Sequence, residues 1–519
     1  MYLADEQLIL SPSDLNGFVE CRHLTALERL ALAGGVEKPD RHDPVADLLS
    51  RKGDEHELRY LEKLKAEGKT VIELGDAGRS VSDLEAAAQA TMDALRKGPD
   101  VIFQATFLGT GPDGPNGKPT RYRGHTDFLF RVDNRPSDLG DFSYEVADTK
   151  LAKRSKPYFI LQLCFYSEML HAAQGGERPE KISVILGDGE TETFRLAEFS
   201  AYFERVRERF LESFPVEPDT YPEPVSHCRV CRWVERCDSQ RVEDDHLSLV
   251  AGIAKAQREK LRADGIKTLA ALGRLDPQRA VPGFRDEQLE KRREQARLQL
   301  EARDSGEDRF ELLPLQPERG FARMPEPSAG DVFFDLEGDP FYEGGLEYLW
   351  GFVTDDAEGG RSKFDSFWGR DRAEERQAFE RFMDFVFERR TRWPDLHVYH
   401  YAAYEITVLK RLAGAFDSRT EELDTLLREG VFVDLYRVVA EGMRIGMPSY
   451  GLKKVEAFYM AEQRETLVTD GADSTVEFER WLDEGGRQGG PQEILGRIEE
   501  YNRDDCISTL LLRNWLLER

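Results

Sequence analysis

Four carboxylates in the last third of the chain have the types and spacing of a site that binds divalent cations. Asp335 and Glu337 stand two residues apart in V-F-F-D-L-E, so a strand there places both side chains on one face. Glu405 begins a predicted helix, and Asp505 follows Tyr501 by one helical turn in Y-N-R-D-D. Acids inside so apolar a strand are unfavourable without a partner. We expect the four carboxylates to hold two divalent metals that activate water, which Tyr501 would orient.

A second group of charged residues lies in the first third of the chain. Asp127 ends G-H-T-D on one predicted strand, and Asp148 and Lys150 form D-T-K on the next. Period two puts Asp148 and Lys150 on one face, which Asp127 reaches if the strands pair. Two converging carboxylates would bind Mg²⁺ or Mn²⁺, and the lysine would position water and neutralise developing charge. Gln162 and Tyr166 share one face of the helix that follows.

Three cysteines have the spacing of metal ligands. Cys228, Cys231 and Cys237 lie within H-C-R-V-C-R-W-V-E-R-C, and a C-x-x-C pair followed by a third cysteine is typical of a metal site. Three thiolates need a fourth, and Cys21 lies near the other end of the same region. A zinc ion held by these four residues is one interpretation.

Composition bounds the class of protein. A chain of 519 residues predicts two to four domains. Neither a membrane-length apolar run nor a secretory start is present, so we expect a cytoplasmic protein without membrane contact, in which structural disulfides are rare. Cys164 and Cys506 then read as small buried residues. The net charge of −27 disfavours nucleic-acid binding, although K-L-A-K-R-S-K at 150–156 is locally basic.

The elements that must position these residues follow from the pattern of the sequence. Residues 1–240 read as one domain with a Gly- and Pro-rich loop between two strands of a long hairpin. The expected order is helix, three strands, helix and strand, at 81–98, 101–108, 121–132, 143–151, 158–173 and 181–189.

The rest of the chain reads as a helical part and an α/β part. Residues 241–310 are predicted to form a helical connector, with Gly265 between two helices; the alternative is a helix–hairpin–helix clamp on a nucleic-acid backbone. Residues 311–330 are Pro-rich and predict a linker. Within 331–519 we expect a strand and its hairpin partner, then helix, strand, helix and a long terminal helix, at 331–339, 347–355, 372–390, 396–401, 404–414 and 491–518.

The N-terminal motifs resemble a known nuclease family. G-H-T-D, D-T-K and the Q-x-x-x-Y helix are together similar to the PD-(D/E)xK core of the RecB family. The resemblance implies a restriction-endonuclease-like fold in which His56, in R-K-G-D-E-H-E, is a further metal ligand. One distant N-terminal cysteine plus three C-terminal ones resembles the iron–sulphur nucleases of this family, where a [4Fe–4S] cluster joins the two ends of the domain. Zinc remains the alternative.

The C-terminal motifs resemble the ribonuclease-H-like 3′–5′ exonucleases of the DEDD class, in the subtype with a tyrosine in the last motif. D-L-E and Y-x-x-x-D match in order and spacing. The resemblance implies Mg²⁺ or Mn²⁺ as cofactor. Glu405 departs from the family, which has aspartate there, and Asp434 in F-V-D-L-Y is left without a role.

Taken together, the chain resembles bacterial RecB-like nucleases that carry a C-terminal ribonuclease-H-like domain, and we predict an α/β multidomain protein. The resemblance implies two active sites that hydrolyse phosphodiester bonds in DNA strands or ends, in repair, recombination or defence. DNA is favoured over RNA as the bound polymer. No G-x-x-x-x-G-K-[ST] loop is present, so a helicase would be a separate partner. The alternatives are a nucleic-acid-binding scaffold with one or both sites inactive, and an RNA exonuclease.

Overall fold

The chain forms two compact units, Met1–Asp238 and Ser239–Arg519. The structure is a computed structural model that describes residues 1–40, 43–113, 119–214, 220–356, 361–460, 468 and 471–519. The Gly- and Pro-rich loop expected between the first two long strands lies partly outside these residues. None of the helices in the described ranges is long and apolar enough to cross a membrane.

The first unit combines helices with a large mixed sheet. Its elements are β1 (Tyr2–Ala4), β2 (Gln7–Leu10), α1 (Pro12–Glu20), α2 (Arg22–Leu32), α3 (Pro44–Ala66), β3 (Val71–Glu73), α4 (Val81–Lys97), β4 (Val101–Asp113), β5 (Pro119–Ser137), β6 (Gly140–Lys150), α5 (Pro157–Gln174), β7 (Lys181–Leu186), β8 (Thr191–Arg195) and α6 (Ala197–Glu212). Helix α7 (Val234–Glu243) contains the boundary between the units. The predicted helices and strands of this region are confirmed, and Gly98 at φ 69° ends α4 as expected.

The sheet of the first unit is built around the hairpin of β4 and β5. Its strand order is β1-β2-β5-β6-β7-β8, with β4 also paired to β5 and β3 to β4. Strands β5 and β6 are antiparallel, and β6 and β7 are parallel. Helix α5 is apolar on most sides, and its residues pack in one core with Val146 of β6; Cys164 is buried there, as predicted. Leu61 and Leu64 of α3 pack instead with Ala147, on the opposite face of the same strand.

The second unit begins with helices and continues as an α/β fold. Its elements are α8 (Lys255–Ala263), α9 (Leu269–Gly273), α10 (Asp286–Ser305), β9 (Phe310–Leu312), β10 (Val332–Asp339), β11 (Leu346–Asp356), β12 (Arg361–Trp368), α11 (Arg372–Arg392), β13 (Val398–His400), α12 (Tyr404–Phe416), α13 (Thr420–Arg428), β14 (Phe432–Asp434), α14 (Leu435–Gly442), β15 (Met443–Ile445), α15 (Leu452–Val455), α16 (Gly471–Asp483) and α17 (Gln492–Leu517).

Strand β10 is the centre of a five-stranded sheet with order β12-β11-β10-β13-β14. It is antiparallel to β11, its predicted hairpin partner, and parallel to β13. Alternation along β10 separates two cores: Phe334 packs with residues of α11 and α12, whereas Phe333 packs with residues of α14 and α17. Asp335 and Glu337 share the parity of Phe333, so they face α17. Cys506 of α17 is buried in that core, as predicted.

The segment predicted as a linker is packed within the second unit. It follows β9, which pairs with β15, and it contains a short turn of 3₁₀ helix at Gly320–Arg323. Gly320 has a φ of 55°, and a Cβ there would lie 2.6 Å from Gly442 Cα. This Pro-rich segment therefore lies close against the end of α14, and a residue with a side chain would not fit at position 320.

A buried ion pair joins the ends of β10 and α17. Asp331 and Arg513 are 0% and 3% exposed, and Arg513 Nη1 lies 2.5 Å from Asp331 Oδ2. Asp331 also accepts hydrogen bonds from the backbone N–H groups of His397 and Ser328, at 2.9 and 3.1 Å. The guanidinium lies over the ring of Phe333, 4.8 Å from its centroid. Because both charges are paired and hydrogen-bonded, the helix is held at a fixed position along the strand.

Candidate metal-binding sites

Three of the four carboxylates predicted in the second unit come together. Ligand oxygens of Asp335, Glu337 and Asp505 all lie within 4.8 Å of one another. Among the residues that the structure describes, no other three His, Cys, Asp or Glu side chains bring ligand atoms this close. Oxygen ligands are the ones that Mg²⁺ and Mn²⁺ prefer. These three residues are called the carboxylate trio below.

Asp335 is oriented by a neighbour that the sequence did not single out. The Asn502 amide of α17 donates a hydrogen bond to Asp335 Oδ2 at 2.7 Å. Gly351 of β11 is the cross-strand partner of Asp335, and a Cβ at that position would lie only 1.6 Å from Asn502 Oδ1. The missing side chain at Gly351 therefore leaves the space in which Asn502 holds Asp335. Asn502 belongs to the Y-N-R-D-D motif, but its role depends on a glycine about 150 residues away in sequence.

Glu337 has a strongly raised pKa. Burial, followed by the charge of Asp505, raises the pKa of the Glu337 carboxyl from its ordinary value of 4.5 to about 8. A hydrogen bond from Ser474 of α16 opposes this increase. Ser474 is fixed in turn by the Tyr348 hydroxyl, at 2.7 Å. A carboxyl held close to another acid in this way is a group whose charge a cation would stabilise.

Tyr501 lies against the trio and beside a lysine. Lys453 Nζ donates to the Tyr501 hydroxyl at 3.3 Å and lies 4.8 Å from the centre of its ring. Burial and the charge of Asp505 raise the pKa of Tyr501, so the phenol keeps its proton at neutral pH. The sequence analysis did not identify Lys453, and the K-K pair in α15 is the only local feature that marks this position.

Glu405 lies outside the trio. Its side chain is buried, and its Oε2 lies 3.3 Å from Nδ1 of His400, which is also buried. Burial raises the pKa of the Glu405 carboxyl, and His400 opposes the shift. Asp434, left without a role by the sequence, accepts hydrogen bonds from the backbone N–H of Ala402 and of Tyr436, both at 3.0 Å. Asp434 thereby fixes the turn in which Ala402 has a φ of 74° and from which α12 begins.

Five of the six residues predicted for the N-terminal site are brought together. The backbone N–H of Asp127 donates to Asp148 Oδ1 at 3.3 Å, and Lys150 Nζ contacts Asp148 Oδ2. The Gln162 amide donates to Asp148 Oδ2 at 3.0 Å and to the Tyr166 hydroxyl at 2.9 Å. The Q-x-x-x-Y helix therefore supports the carboxylate of D-T-K directly.

The two N-terminal carboxyls share a buried environment with a cation and a third acid. Burial, then the charge of Asp127, raises the pKa of Asp148 to about 7. Burial lowers the pKa of Lys150, but Asp148 and Asp127 outweigh it and the pKa is raised, so the ammonium is retained. Glu57 of α3, which sequence reasoning missed, also has a raised pKa, from burial first and with a contribution from Asp148. Gln104, at the unusual φ of 56°, donates to Glu57 at 3.2 Å.

His56 is buried near the same strands but does not complete a set of three ligands. Its side chain is 5% exposed, and burial lowers its pKa, which keeps the ring neutral. Its Nε2 has no hydrogen-bond partner among the residues that the structure describes. A buried, neutral imidazole nitrogen of this kind is suited to ligate a metal.

The four cysteines predicted as cluster ligands lie on separate elements of the first unit. Cys21 separates α1 from α2, Cys228 and Cys231 lie in and just after a 3₁₀ turn, and Cys237 lies on α7. Cys237 and Cys231 pack beside Leu27 of α2. No disulfide joins the six cysteines, all of which the structure describes, and no three bring their sulphur atoms within 4.8 Å of one another. Burial raises the pKa of Cys231, and Cys21 and Cys228 are near enough to raise it further.

The comparison with known families concerns the second unit. A model of the RNase_H superfamily matches residues 332–517, the stretch that contains the sheet around β10 and the carboxylate trio. The chain has no significant match among curated proteins. The match supports a nuclease-type domain that uses divalent metal. Residues 332–517 therefore form a C-terminal ribonuclease-H-like domain in a multidomain α/β protein.

Proposed function

We propose that the C-terminal domain hydrolyses phosphodiester bonds of nucleic acid with a divalent cation held by Asp335, Glu337 and Asp505. The observation that carries the proposal is the convergence of these three carboxylates, within 4.8 Å, inside a domain of the RNase H superfamily. The donors fit the cation, because all are oxygens and because burial, together with the charge of Asp505, disfavours the ionised form of Glu337, which a cation would stabilise. A bound Mg²⁺ or Mn²⁺ supplies Lewis-acid activation of water and stabilises the leaving oxygen.

The remaining side chains have separate roles in this proposal. Asn502 orients Asp335, and the protonated Tyr501 hydroxyl is available to orient the attacking water. The ammonium of Lys453, next to Tyr501, is placed to attract a phosphate. Glu405 is given no ligand role, because its carboxylate lies against His400. The resemblance to DEDD enzymes favours 3′–5′ exonuclease action on single strands, with DNA preferred to RNA.

We further propose that the first unit is a second nuclease, of the RecB-like PD-(D/E)xK type. Asp127 and Asp148 would hold the cation, with His56 as an additional ligand. Support comes from the contacts of Asp148 with both Lys150 and Gln162. Lys150, in contact with Asp148, would neutralise charge that develops on a phosphate bound at this site.

The cysteines are proposed to hold a [4Fe–4S] cluster, with zinc as the alternative. The donor set is four thiolates, which suits either group. Support comes from Cys231, which is close enough to Cys21 and Cys228 for their charges to affect its pKa. Bound metal would replace this repulsion with attraction and would join α2 to the C-terminal end of the unit. A DNA-processing role in repair, recombination or defence, beside a separate helicase, completes the proposal.

The first prediction concerns activity of the carboxylate trio. In full-length protein that carries Asp148→Ala, Asp335→Ala and Asp505→Asn should each lower degradation of labelled single strands at least about 100-fold, since a metal ligand is lost. Tyr501→Phe should slow cleavage while metal binding is kept, because only the water contact is removed. Asp504→Asn removes the same charge one residue from Asp505 and should behave as wild type. A protein that binds Mn²⁺ at the trio but cuts neither DNA nor RNA would make this domain a binding module.

The second prediction concerns pH. Because the pKa of Glu337 is raised to about 8, a cation must displace its proton, and Mg²⁺ affinity should rise up to about 10-fold per pH unit between about 6 and 8. The folded pKa exceeds the ordinary value of 4.5, so the contribution of this group to stability is complete below pH 4.5 and is lost as pH rises through 8. Mg²⁺ should therefore raise the Tm more at high pH. Calorimetry on protein carrying Asp127→Ala and Asp148→Ala isolates the trio. Glu337→Gln should flatten the profile, and a flat wild-type profile contradicts the prediction.

The third prediction concerns the N-terminal site. With the trio disabled by Asp335→Ala, each of Asp127→Ala, Asp148→Ala and Lys150→Ala should remove the remaining nuclease activity on single-stranded DNA. The two carboxylate changes should also weaken Mn²⁺ binding, whereas Lys150→Ala should not, because the lysine is no ligand. Asp133→Asn, on the same strand as Asp127 but exposed, is the control. Wild-type cutting rates in all three variants would exclude this site.

The fourth prediction concerns the cysteines. Protein purified without oxygen should be brown and contain iron and acid-labile sulphide. Cys21→Ala should lose the iron as fully as Cys228→Ala, despite their separation in sequence, and both should unfold at lower denaturant because a long loop is no longer closed. Cys164→Ala, at the buried cysteine of α5, should lose stability but keep the iron. Colourless protein with one equivalent of zinc would favour the alternative.

A further inference from the structure

Two neighbouring cations on α10 have no carboxylate partner. In the part of the chain that the structure describes, neither Lys291 nor Arg292 forms an ion pair with an acid. Arg292 is instead held by neutral oxygens: its Nε donates to Gln257 at 3.2 Å and its Nη1 to the backbone carbonyl of Ala251 at 3.2 Å. Gly252 makes room for it, since a Cβ there would lie 3.0 Å from the guanidinium. The Arg292 side chain is thus positioned by the fold while its charge is left uncompensated.

Two further arginines add to this positive charge. Gln295 of α10 donates to the backbone carbonyl of Ile445 at 2.8 Å, which places β15, the strand of Arg444, against the helix. Burial, then repulsion from Arg292, Arg319 and Arg444, lowers the pKa of Lys291. The nearby acids each pair with more than one arginine. Glu311 pairs with Arg444 at 2.8 Å but also with Arg297 at 2.5 Å.

Glu441 is shared even more widely. It lies 2.8 Å from Arg323, 3.6 Å from Arg437 and 4.0 Å from Arg319. Glu287, one turn before Lys291, opposes the shift of its pKa. Lys291, Arg292, Arg319 and Arg444 are called the α10 cation cluster below; Lys291 and Arg292 are its members without an acid partner among the described residues.

The cluster is connected to the carboxylate trio by a short segment. Arg444 precedes Lys453, the lysine beside Tyr501, by nine residues, which span at most about 30 Å. Tyr450 lies between them, and its hydroxyl donates to Gln295 of α10 at 3.0 Å. The Tyr401 hydroxyl donates in turn to the backbone carbonyl of Tyr450. Tyr450 thus contacts α10 on one side and precedes Lys453, the lysine beside Tyr501, by three residues on the other.

An exposed aromatic ring packs on Tyr401, the residue whose hydroxyl contacts Tyr450. Tyr436 is 40% exposed, and its ring packs edge-to-face on Tyr401, with centroids 5.7 Å apart. Arg437 follows it and belongs to the group around Glu441. Exposed aromatic rings between positive charges are the combination that binds single-stranded nucleic acid, in which bases stack and phosphates pair.

We infer that the α10 cation cluster is a phosphate-binding subsite for the single strand whose 3′ end lies at the carboxylate trio, with Tyr436 stacking on a base in between. The inference rests on the proposed nuclease function and extends it: the helical connector becomes part of the substrate site. It also makes strand length a determinant of affinity, because a short oligonucleotide reaches the trio without reaching α10.

The test uses full-length protein that carries Asp148→Ala, so that only the trio can cut. Lys291→Gln with Arg292→Gln should raise KM for a single strand of about 16 nucleotides roughly 10-fold and leave kcat unchanged. The slope of log(kcat/KM) against log salt should fall by about 1.4, for two lost contacts. A strand of about 4 nucleotides should be cut equally by both proteins. The control, Arg274→Gln with Arg428→Gln, removes two exposed cations that have acids within 4 Å and should change none of these values.

A binding arm keeps the two proposals separable. Fluorescence anisotropy with the long strand, on protein carrying Asp148→Ala and Asp335→Ala, measures affinity without chemistry, and the α10 double variant should bind about 10-fold more weakly than the control. If the trio cuts but the α10 variant matches the control in KM, salt slope and affinity, the subsite is overturned. If nothing is cut while the α10 variant still loses affinity, the subsite stands and the proposed catalysis falls. Equal loss on long and short strands would indicate damage to the fold and would also overturn the subsite.

Discussion

The buried pair of Asp331 and Arg513 is the contact on which the C-terminal site depends. Asp335 and Glu337 on β10 and Asp505 on α17 repel one another, and this repulsion favours separation of the helix from the strand. Breaking a buried pair by removing one partner typically costs about 3–5 kcal/mol, so the pair can hold α17 in place against a repulsion of this kind. Asp331 precedes Asp335 by four residues, and Arg513 follows Asp505 by eight residues, which is about two helical turns. The ion pair therefore fixes both the position of Asp505 along β10 and the distance between Asp505 and this strand.

Both candidate sites bring carboxyl groups close together, but different side chains surround these carboxyls. Asp148 has its neighbour Asp127, but Lys150 is held in contact with it, and Gln162 donates a hydrogen bond to the same oxygen. The N-terminal carboxylates are thus partly compensated before any cation binds. Glu337 has Ser474 and the more distant Lys453, and its pKa is raised to about 8 in spite of them. The pKa of Asp148 is nevertheless raised to about 7, so each site keeps a carboxyl whose charged form a bound cation would stabilise.

Periodicity made much of this arrangement predictable, because strands and helices fix which residues share a face. D-L-E, D-T-K, Q-x-x-x-Y and Y-x-x-x-D are all local patterns, and each places its side chains on the face that the fold uses. Contacts between distant segments were not predictable. Gly351 makes room for Asn502 only because β11 pairs with β10 in one register. Glu405 follows its strand as the motif predicts, but its carboxylate lies against the imidazole of His400 on that strand. The Pro-rich stretch at 311–330 carried the composition of a linker, and nothing local revealed that Gly320 packs on Gly442.

Net charge was the least informative of the sequence signals, for a physical reason. A total of −27 is spread over 519 residues, whereas a phosphate interacts strongly only with charges within about 8–10 Å at ordinary salt. Beside α10, Glu311 and Glu441 each pair with more than one arginine, and Lys291 and Arg292 have no acid partner among the described residues. The carboxylates of the two sites add to the negative total, although with bound cations they would attract phosphate rather than repel it. An acidic chain can thus bind a polyanion when its acids lie at metal sites and when cations such as Lys291 and Arg292, which have no acid partner among the described residues, remain available to phosphates.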